Sequence, residues 1–236
     1  MPKQKLPEIV FDEATHTYLV DGIEMPSVTQ VTAITDKVGL DRWRVETAVQ
    51  FVIDKVPGLI SGDLANQPED IEAIHREAVI EPARIAHEAG DFGKQTHALI
   101  TKYLRAGRKP KCPTPALDTA LNGFRIWKQR HKIEVLALEE PTFNKTQGYC
   151  GRPDFRGRID GREAILDWKS GRFVKDAFGM QLAAYAATAE ENEGLKIERL
   201  GVIQIDERGL PHWRNLGEER ERYWQRFLAL LRFWKL

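Results

Sequence analysis

Cysteine is scarce in this chain, and neither sign of charge dominates it. Two cysteines, Cys112 and Cys150, cannot supply a four-thiolate cluster and give no disulfide framework. Lys plus Arg number 35 and Asp plus Glu number 35, which argues against a protein held on a polyanion by bulk charge. A local basic groove stays open, because residues 141–180 hold eight Lys or Arg against five Asp or Glu. A mixed solvated surface accounts equally well for so small an excess. No apolar run approaches the roughly 20 residues needed to span a bilayer. The start, Met1-Pro2-Lys3-Gln4-Lys5, lacks the apolar region of a signal peptide. A cytoplasmic protein is expected. Internal repeats and low-complexity segments are also missing, and 236 residues suffice for one domain with a substantial core.

What is present is a long alternation of helical and strand patterns. Ile9 to Met25 reads as a hairpin, turned by Asp12 to Thr15 and again at Asp21-Gly22. Pro26-Ser27 then opens a helix, with Ser27 or Thr29 as N-cap. Asp41 to Lys55 is helical, Pro57 to Pro68 is the expected mobile connection, and Glu69 to Ala89 is helical again. Gly90-Asp91-Phe92-Gly93 interrupts the pattern before a helix through Leu104. Pro110 to Pro115 reads as a linker. Ala116 to His131 is a helix whose Leu117, Leu121, Phe124 and Trp127 face a core. Glu134 to Phe143 is a strand, Val174 to Glu191 a helix, Ile197 to Asp206 and Leu210 to Asn215 are strands, and Glu218 to Leu236 is a closing helix. The order implies an α/β domain: a central mixed sheet, with the Glu134, Tyr149 and Glu163 strands contiguous, flanked by helices. Residues 1–90 would form an N-terminal hairpin and helical region and 91–236 the core.

The chemistry concentrates between Gly148 and Tyr185. Tyr149 to Ile159 and Glu163 to Trp168 are joined by Asp160-Gly161, a strong signal for a two-residue hairpin turn. With that turn Ile159 faces Arg162, and counting outward sets Asp154 opposite Asp167 on one face. Lys169 projects from the same face, because strand side chains alternate. Phe155, Ile159, Ala164, Leu166 and Trp168 take the opposite, core-facing side. Directly opposed carboxylates, with Cβ atoms about 4.5–5.5 Å apart, repel unless a cation lies between them. Asp154→Asn should therefore stabilise the metal-free protein. Oxygen ligands beside an ammonium suit magnesium or manganese, and such a site serves phosphodiester hydrolysis. Acid-x-Lys is weak evidence alone, at roughly two chance occurrences in a chain of this composition; here no Lys but Lys169 has Asp or Glu two residues before it.

Pro153-Asp154, Asp167-Trp168-Lys169 and Gln181-Leu182-Ala183-Ala184-Tyr185 together resemble the ordered motifs of the PD-(D/E)XK nuclease superfamily. They are most similar to its RecB-like and phage exonuclease branch, in which Gln is followed four residues later by Tyr. His16, Tyr18, Asp21, Gly22 and Pro26 to Thr29 resemble the opening of phage-type members; His16 itself reads as structural. Gly93-Lys94-Gln95-Thr96-His97 is similar to the branch's Gly-x-x-x-His element, and Glu139 to its acidic residue before an x-Pro pair. A solvated edge-strand charge explains Glu139 as well, and only one of Glu139 and Glu140 can easily enter the site.

The resemblance implies a restriction-endonuclease-like core and metal-dependent cleavage of DNA, with exonuclease favoured by the Gln-x-x-x-Tyr motif. Magnesium, replaceable by manganese, would be held by Asp154 and Asp167 with His97 and Glu139. Lys169 would orient or activate water, Gln181 would position substrate, and Tyr185, Arg152 and Arg172 would contact DNA or support the site. Some RecB-like relatives carry an iron–sulfur cluster; this chain is expected to have none. DNA is the implied partner, alongside a single-strand-annealing or recombination protein. Two other readings stay open: a non-catalytic nucleic-acid-binding or assembly module on the same fold, and a restriction-type endonuclease.

Overall fold

The structure is a computed structural model that describes residues 7–12, 15, 17–35, 37–61, 68–170, 176–206 and 208–236. His16, Gly171 and Arg172 lie outside the described residues, as do residues 62–67 of the expected connection, and residues 57–61 of it are helical. The chain divides into two compact units, one of residues 1–34 and 95–236 and the other of residues 35–94. The N-terminal strands and the short helix after them thus share a unit with the C-terminal half.

Strands β1 (Ile9–Asp12), β2 (Thr17–Val20) and β3 (Ile23–Met25) form an antiparallel meander. Its second turn works because Asp21 and Gly22 both take positive φ, 49° and 82°, which a two-residue turn matching strand twist requires. Helix α1 (Val28–Thr32) follows. Ser27 Oγ accepts the Gln30 N–H at 3.1 Å and Gln30 Oε1 accepts the Ser27 N–H at 2.8 Å, so two orphan donors are satisfied reciprocally.

Helix α2 (Lys37–Ser61) and helix α3 (Pro68–Ala106) supply the residue 35–94 unit, the last turns of α3 belonging to the other unit. Both helices run further than the pattern suggests. Gly90 and Gly93 do not break α3, since each Gly costs a helix only about 1 kcal/mol and the turns on either side carry Ala, Arg, Glu, Lys and Gln. Ion pairs one turn apart support the exposed faces, among them Arg84 with Glu81 and Glu88.

After α4 (Pro115–Gln129), capped by Thr114, come β4 (Ile133–Ala137), β5 (Thr142–Asn144), β6 (Tyr149–Gly151), β7 (Phe155–Ile159) and β8 (Arg162–Lys169). The expected single strand from Tyr149 to Ile159 is two strands, and so is the one from Glu134 to Phe143. Breaks fall at Arg152-Pro153-Asp154 and at Leu138 to Pro141, where proline cannot donate to a ladder. β5 and β6 form a two-stranded sheet of their own, which Cys150 of β6 ties to Ser27 through an isolated parallel bridge. The five-stranded sheet has the order β10-β9-β8-β7-β4, where β9 is Arg199–Ile205 and β10 is Pro211–Asn215. Helix α5 (Asp176–Glu193) links β8 to the parallel β9, and α6 (Arg220–Trp234) closes the chain. The expected contiguity of the Glu134, Tyr149 and Glu163 strands thus holds for the second half of the Tyr149–Ile159 segment, with β7 lying between β4 and β8, while its first half, β6, pairs with β5 outside this sheet.

Both faces of this sheet are covered. On one side Trp168 meets Phe124 of α4 at 5.3 Å between ring centroids and Phe155 at 6.1 Å. On the other, Ile165 packs with Val28 and Val31 of α1, with Ala183, Ala184 and Tyr185 of α5 and with Phe227 of α6. Each large side chain so buried is worth about 1.5–3 kcal/mol. The alanines let α5 lie close over the strands, and Gly179 lets Tyr223 of α6 sit against it. No helix among the described residues is long and apolar enough to cross a membrane.

Candidate functional site

The β7–β8 hairpin has the register that its turn dictates. Ile159 pairs with Arg162 and Phe155 with Leu166, around Asp160 and Gly161 at φ 52° and 78°. Asp154 stands one residue beyond the last pair, at the position facing Asp167. Its Oδ2 accepts the Trp168 backbone N–H at 3.0 Å. His97, from the end of α3 that belongs to the same unit, brings Nδ1 to 3.4 Å from that oxygen. Lys169 Nζ lies 2.7 Å from Asp167 Oδ2 and 4.9 Å from the centre of the Phe178 ring.

This face is not an open polar front, because α5 covers it; Asp167 retains 7 % of its surface. Burial separates the two aspartates. For Asp154, burial disfavours the charge, but the His97 imidazolium and the Lys169 ammonium outweigh it and hold the carboxyl well below the usual range. For Asp167, burial and the Asp154 charge together outweigh Lys169 and His97, so its pKa is pushed up to about 7. Burial opposes the charged forms of His97 and Lys169 too, yet the neighbouring carboxylates win and raise both values. The geometry agrees: Asp167 Oδ2 is buried with no aligned hydrogen-bond partner among the described residues, and the Lys169 ammonium stands 2.7 Å from it. Buried acceptors are seldom left so.

A divalent ion is the natural partner for such an oxygen. Among the described residues no three His, Cys, Asp or Glu side chains converge as a ligand set. Two carboxylates are nevertheless what a magnesium-type ion commonly takes from a protein, the rest of its shell being water and substrate phosphate. Asp154 and Asp167 fit that requirement, since each carboxylate has about four acceptor sites and few are used. No family model matches the chain, and no curated protein matches it.

The other expected site residues fall into place unequally. Gln181 Nε2 donates to Thr32 Oγ1 at 3.1 Å, and Thr32 Oγ1 in turn donates to the Val28 carbonyl at 3.0 Å. Tyr185 is buried rather than offered to a ligand. Its hydroxyl sits beside the Arg152 backbone, and a Cβ on Gly151 would come 2.3 Å from its ring. It braces the Gly151 to Asp154 segment from behind. Arg152 is exposed, its guanidinium 5.1 Å from the Phe11 ring centre. Glu139 is past the end of β4, at φ 52°, and its N–H reaches the Pro153 and Asp154 carbonyls at 3.2 and 3.3 Å. The alternation argument for Glu139 and Glu140 fails because neither is in a strand; Glu140 lines a cavity of about 150 Å³ with Pro153, Arg156 and Tyr185.

Sequence reasoning missed Thr32, Phe178 and the Trp168 N–H. The alternation of β8 could have shown that the Trp168 amide points along the sheet toward Asp154. Thr32 carries no such signal, lying 149 residues from its partner Gln181.

Proposed function

We propose that the protein is a divalent-metal-dependent deoxyribonuclease that hydrolyses phosphodiester bonds, acting as an exonuclease, with a restriction-endonuclease-like core. The observation that carries this reading is the buried Asp167 carboxylate, destabilised as an anion and with its Oδ2 unmatched by an aligned hydrogen bond among the described residues, facing Asp154 and 2.7 Å from the Lys169 ammonium. A fold tolerates crowded buried charge chiefly where chemistry needs it. Asp154 and Asp167 would hold magnesium or manganese, with His97 joining or orienting Asp154 and Glu139 nearby. Once bound, such an ion would stabilise charge on the scissile phosphate and acidify the attacking water.

The chain's own side chains do the rest. His97 and the Trp168 N–H fix the Asp154 carboxylate in one orientation. Lys169, a compact ammonium held between Asp167 and the Phe178 ring, hydrogen-bonds the attacking water or the phosphate oxygen. Gln181, steadied by Thr32, positions the substrate, and Tyr185 keeps the Arg152-Pro153-Asp154 segment in place. The Gln181 and Tyr185 pair on one face of α5 favours the exonuclease reading, as does the likeness stated above. A recombination or single-strand-annealing protein is the partner proposed with it.

Incubating linear and closed circular DNA with the protein and manganese tests this directly. Loss of linear DNA alone is the expected result. Loss of both forms makes the protein an endonuclease, and loss of neither under manganese removes the nuclease reading in favour of a binding module.

A further inference from the structure

The net charge of zero hides one strongly basic stretch. From Lys102 to Lys111 the chain carries five Lys or Arg, at 102, 105, 108, 109 and 111, and no Asp or Glu. All five side chains belong to exposed residues. Lys102, Arg108, Lys109 and Lys111, with Ala106 and Pro110, line a concavity of about 350 Å³ where α3 ends. Lys109 pairs with Asp118 at 2.5 Å. Among the described residues no carboxylate lies at ion-pair distance from Lys102, Arg108 or Lys111. Two more cations, Arg125 and Lys128 of α4, lie 5.9 and 5.7 Å from the ring centre of Tyr103, the residue after Lys102.

A helix C-terminus favours cations, but that effect is confined to the last turn, and Arg108, Lys109 and Lys111 lie beyond Gly107. Holding unpaired like charges around one hollow costs self-repulsion that an anionic ligand would relieve. The patch is tied to the proposed catalytic centre. Arg105 Nη2 donates to the Leu138 carbonyl at 3.2 Å, and the next residue, Glu139, bonds the Asp154 carbonyl. Lys102 is five residues past His97 on α3, about 7.5 Å of helix rise, or roughly two base-pair steps of duplex at 3.4 Å each.

We propose that Lys102, Arg108 and Lys111 bind the phosphate backbone of duplex DNA a few base pairs from the cleaved bond, so that substrate is held by a second contact away from the catalytic carboxylates. The proposal rests on the nuclease reading for its substrate but not for its test, because binding can be measured in EDTA without turnover. The full chain and a triple variant, Lys102→Gln with Arg108→Gln and Lys111→Gln, are titrated against a short fluorescent duplex across about 50–200 mM salt. Three lost phosphate contacts should flatten the slope of log K against log salt by about 2.7 and weaken binding by about tenfold or more. The charge-preserving set, Lys102→Arg with Arg108→Lys and Lys111→Arg, should restore both. A control that removes three other exposed cations, Lys145→Gln, Arg162→Gln and Lys196→Gln, should behave as wild type.

The inference is overturned if the triple variant keeps wild-type affinity and slope, if the control loses as much, or if wild type does not bind the duplex. It is also overturned if the triple variant loses only binding to phosphatidylserine vesicles, since the patch would then read a membrane surface. Failure of the nuclease reading looks different: no hydrolysis with manganese, while duplex binding in EDTA still depends on these three residues.

Discussion

Asp167→Asn should make the metal-free protein more stable at neutral and alkaline pH. Burial first, and the Asp154 charge second, raise the Asp167 pKa from 3.8 to about 7. Because the folded value lies above the unfolded one, the native state holds a proton that the unfolded chain has released. That contribution to stability is fully present below the unfolded pKa of 3.8 and is lost as pH rises through about 7. At 1.36 kcal/mol per pH unit, ionising Asp167 within the fold costs roughly 4 kcal/mol once pH exceeds that value, on the order of ten degrees in Tm for a chain of this size. Asn keeps the shape and never ionises. Its advantage over wild type should be near zero at about pH 4, grow with pH, and level off above the folded pKa. Asp154→Asn should go the other way. His97 and Lys169 hold that carboxyl low despite its burial, so it contributes stability above its ordinary pKa that is lost as pH falls, and the variant loses about 1.5–3 kcal/mol of charged hydrogen bonding at neutral pH. Repulsion alone would have made Asp154→Asn stabilising; the His97 ion pair and the Trp168 N–H reverse the sign. Urea unfolding in EDTA over a pH series measures both variants. A pH-independent effect of Asp167→Asn, a loss of stability at high pH, or the same sign for both variants would refute the reasoning.

Manganese at about 100 times its dissociation constant should add about 2.7 kcal/mol to wild type and nothing to either Asn variant, read as a Tm shift against EDTA; an unchanged shift in both variants rules out the carboxylate site. Lys169→Ala should abolish cleavage with the fold intact by circular dichroism, and Lys169→Arg should fail as well, because a planar guanidinium does not replace a compact ammonium on one water; near wild-type turnover in either removes the assignment. Gln181→Ala should reduce cleavage more than Tyr185→Phe, which keeps the buried ring, and equal, negligible effects would leave α5 purely structural. Gly151→Ala puts a methyl group against the Tyr185 ring and Val28 and should cost about 1–3 kcal/mol of stability by overpacking, so an unchanged Tm would show that Tyr185 does not brace this segment.

Much of the site was legible because it is local. The Asp160-Gly161 turn and the two-residue period of a strand are enough to set Asp154 against Asp167 with Lys169 on their side, and the observed register agrees up to Phe155 and Leu166. Ser27, one of the two expected N-cap residues, likewise marks the start of α1. Helix ends were less legible: Gly90 and Gly93 look like breakers, but each weakens a helix only slightly while neighbours on both sides favour it.

By itself, then, the amino-acid sequence determined which residues share a strand face, where the tight turns lie, and that two carboxylates and one ammonium meet. Only the tertiary structure decided that α5 buries that face, that His97 arrives from α3 to stand against Asp154 and not Asp167, and that one aspartate is thereby held ionised while the other resists ionisation. The physical reason is range. Turn geometry and strand alternation act over a few residues and are written in adjacent letters, whereas desolvation and charge pairing depend on what the fold brings within a few ångströms from tens of residues away.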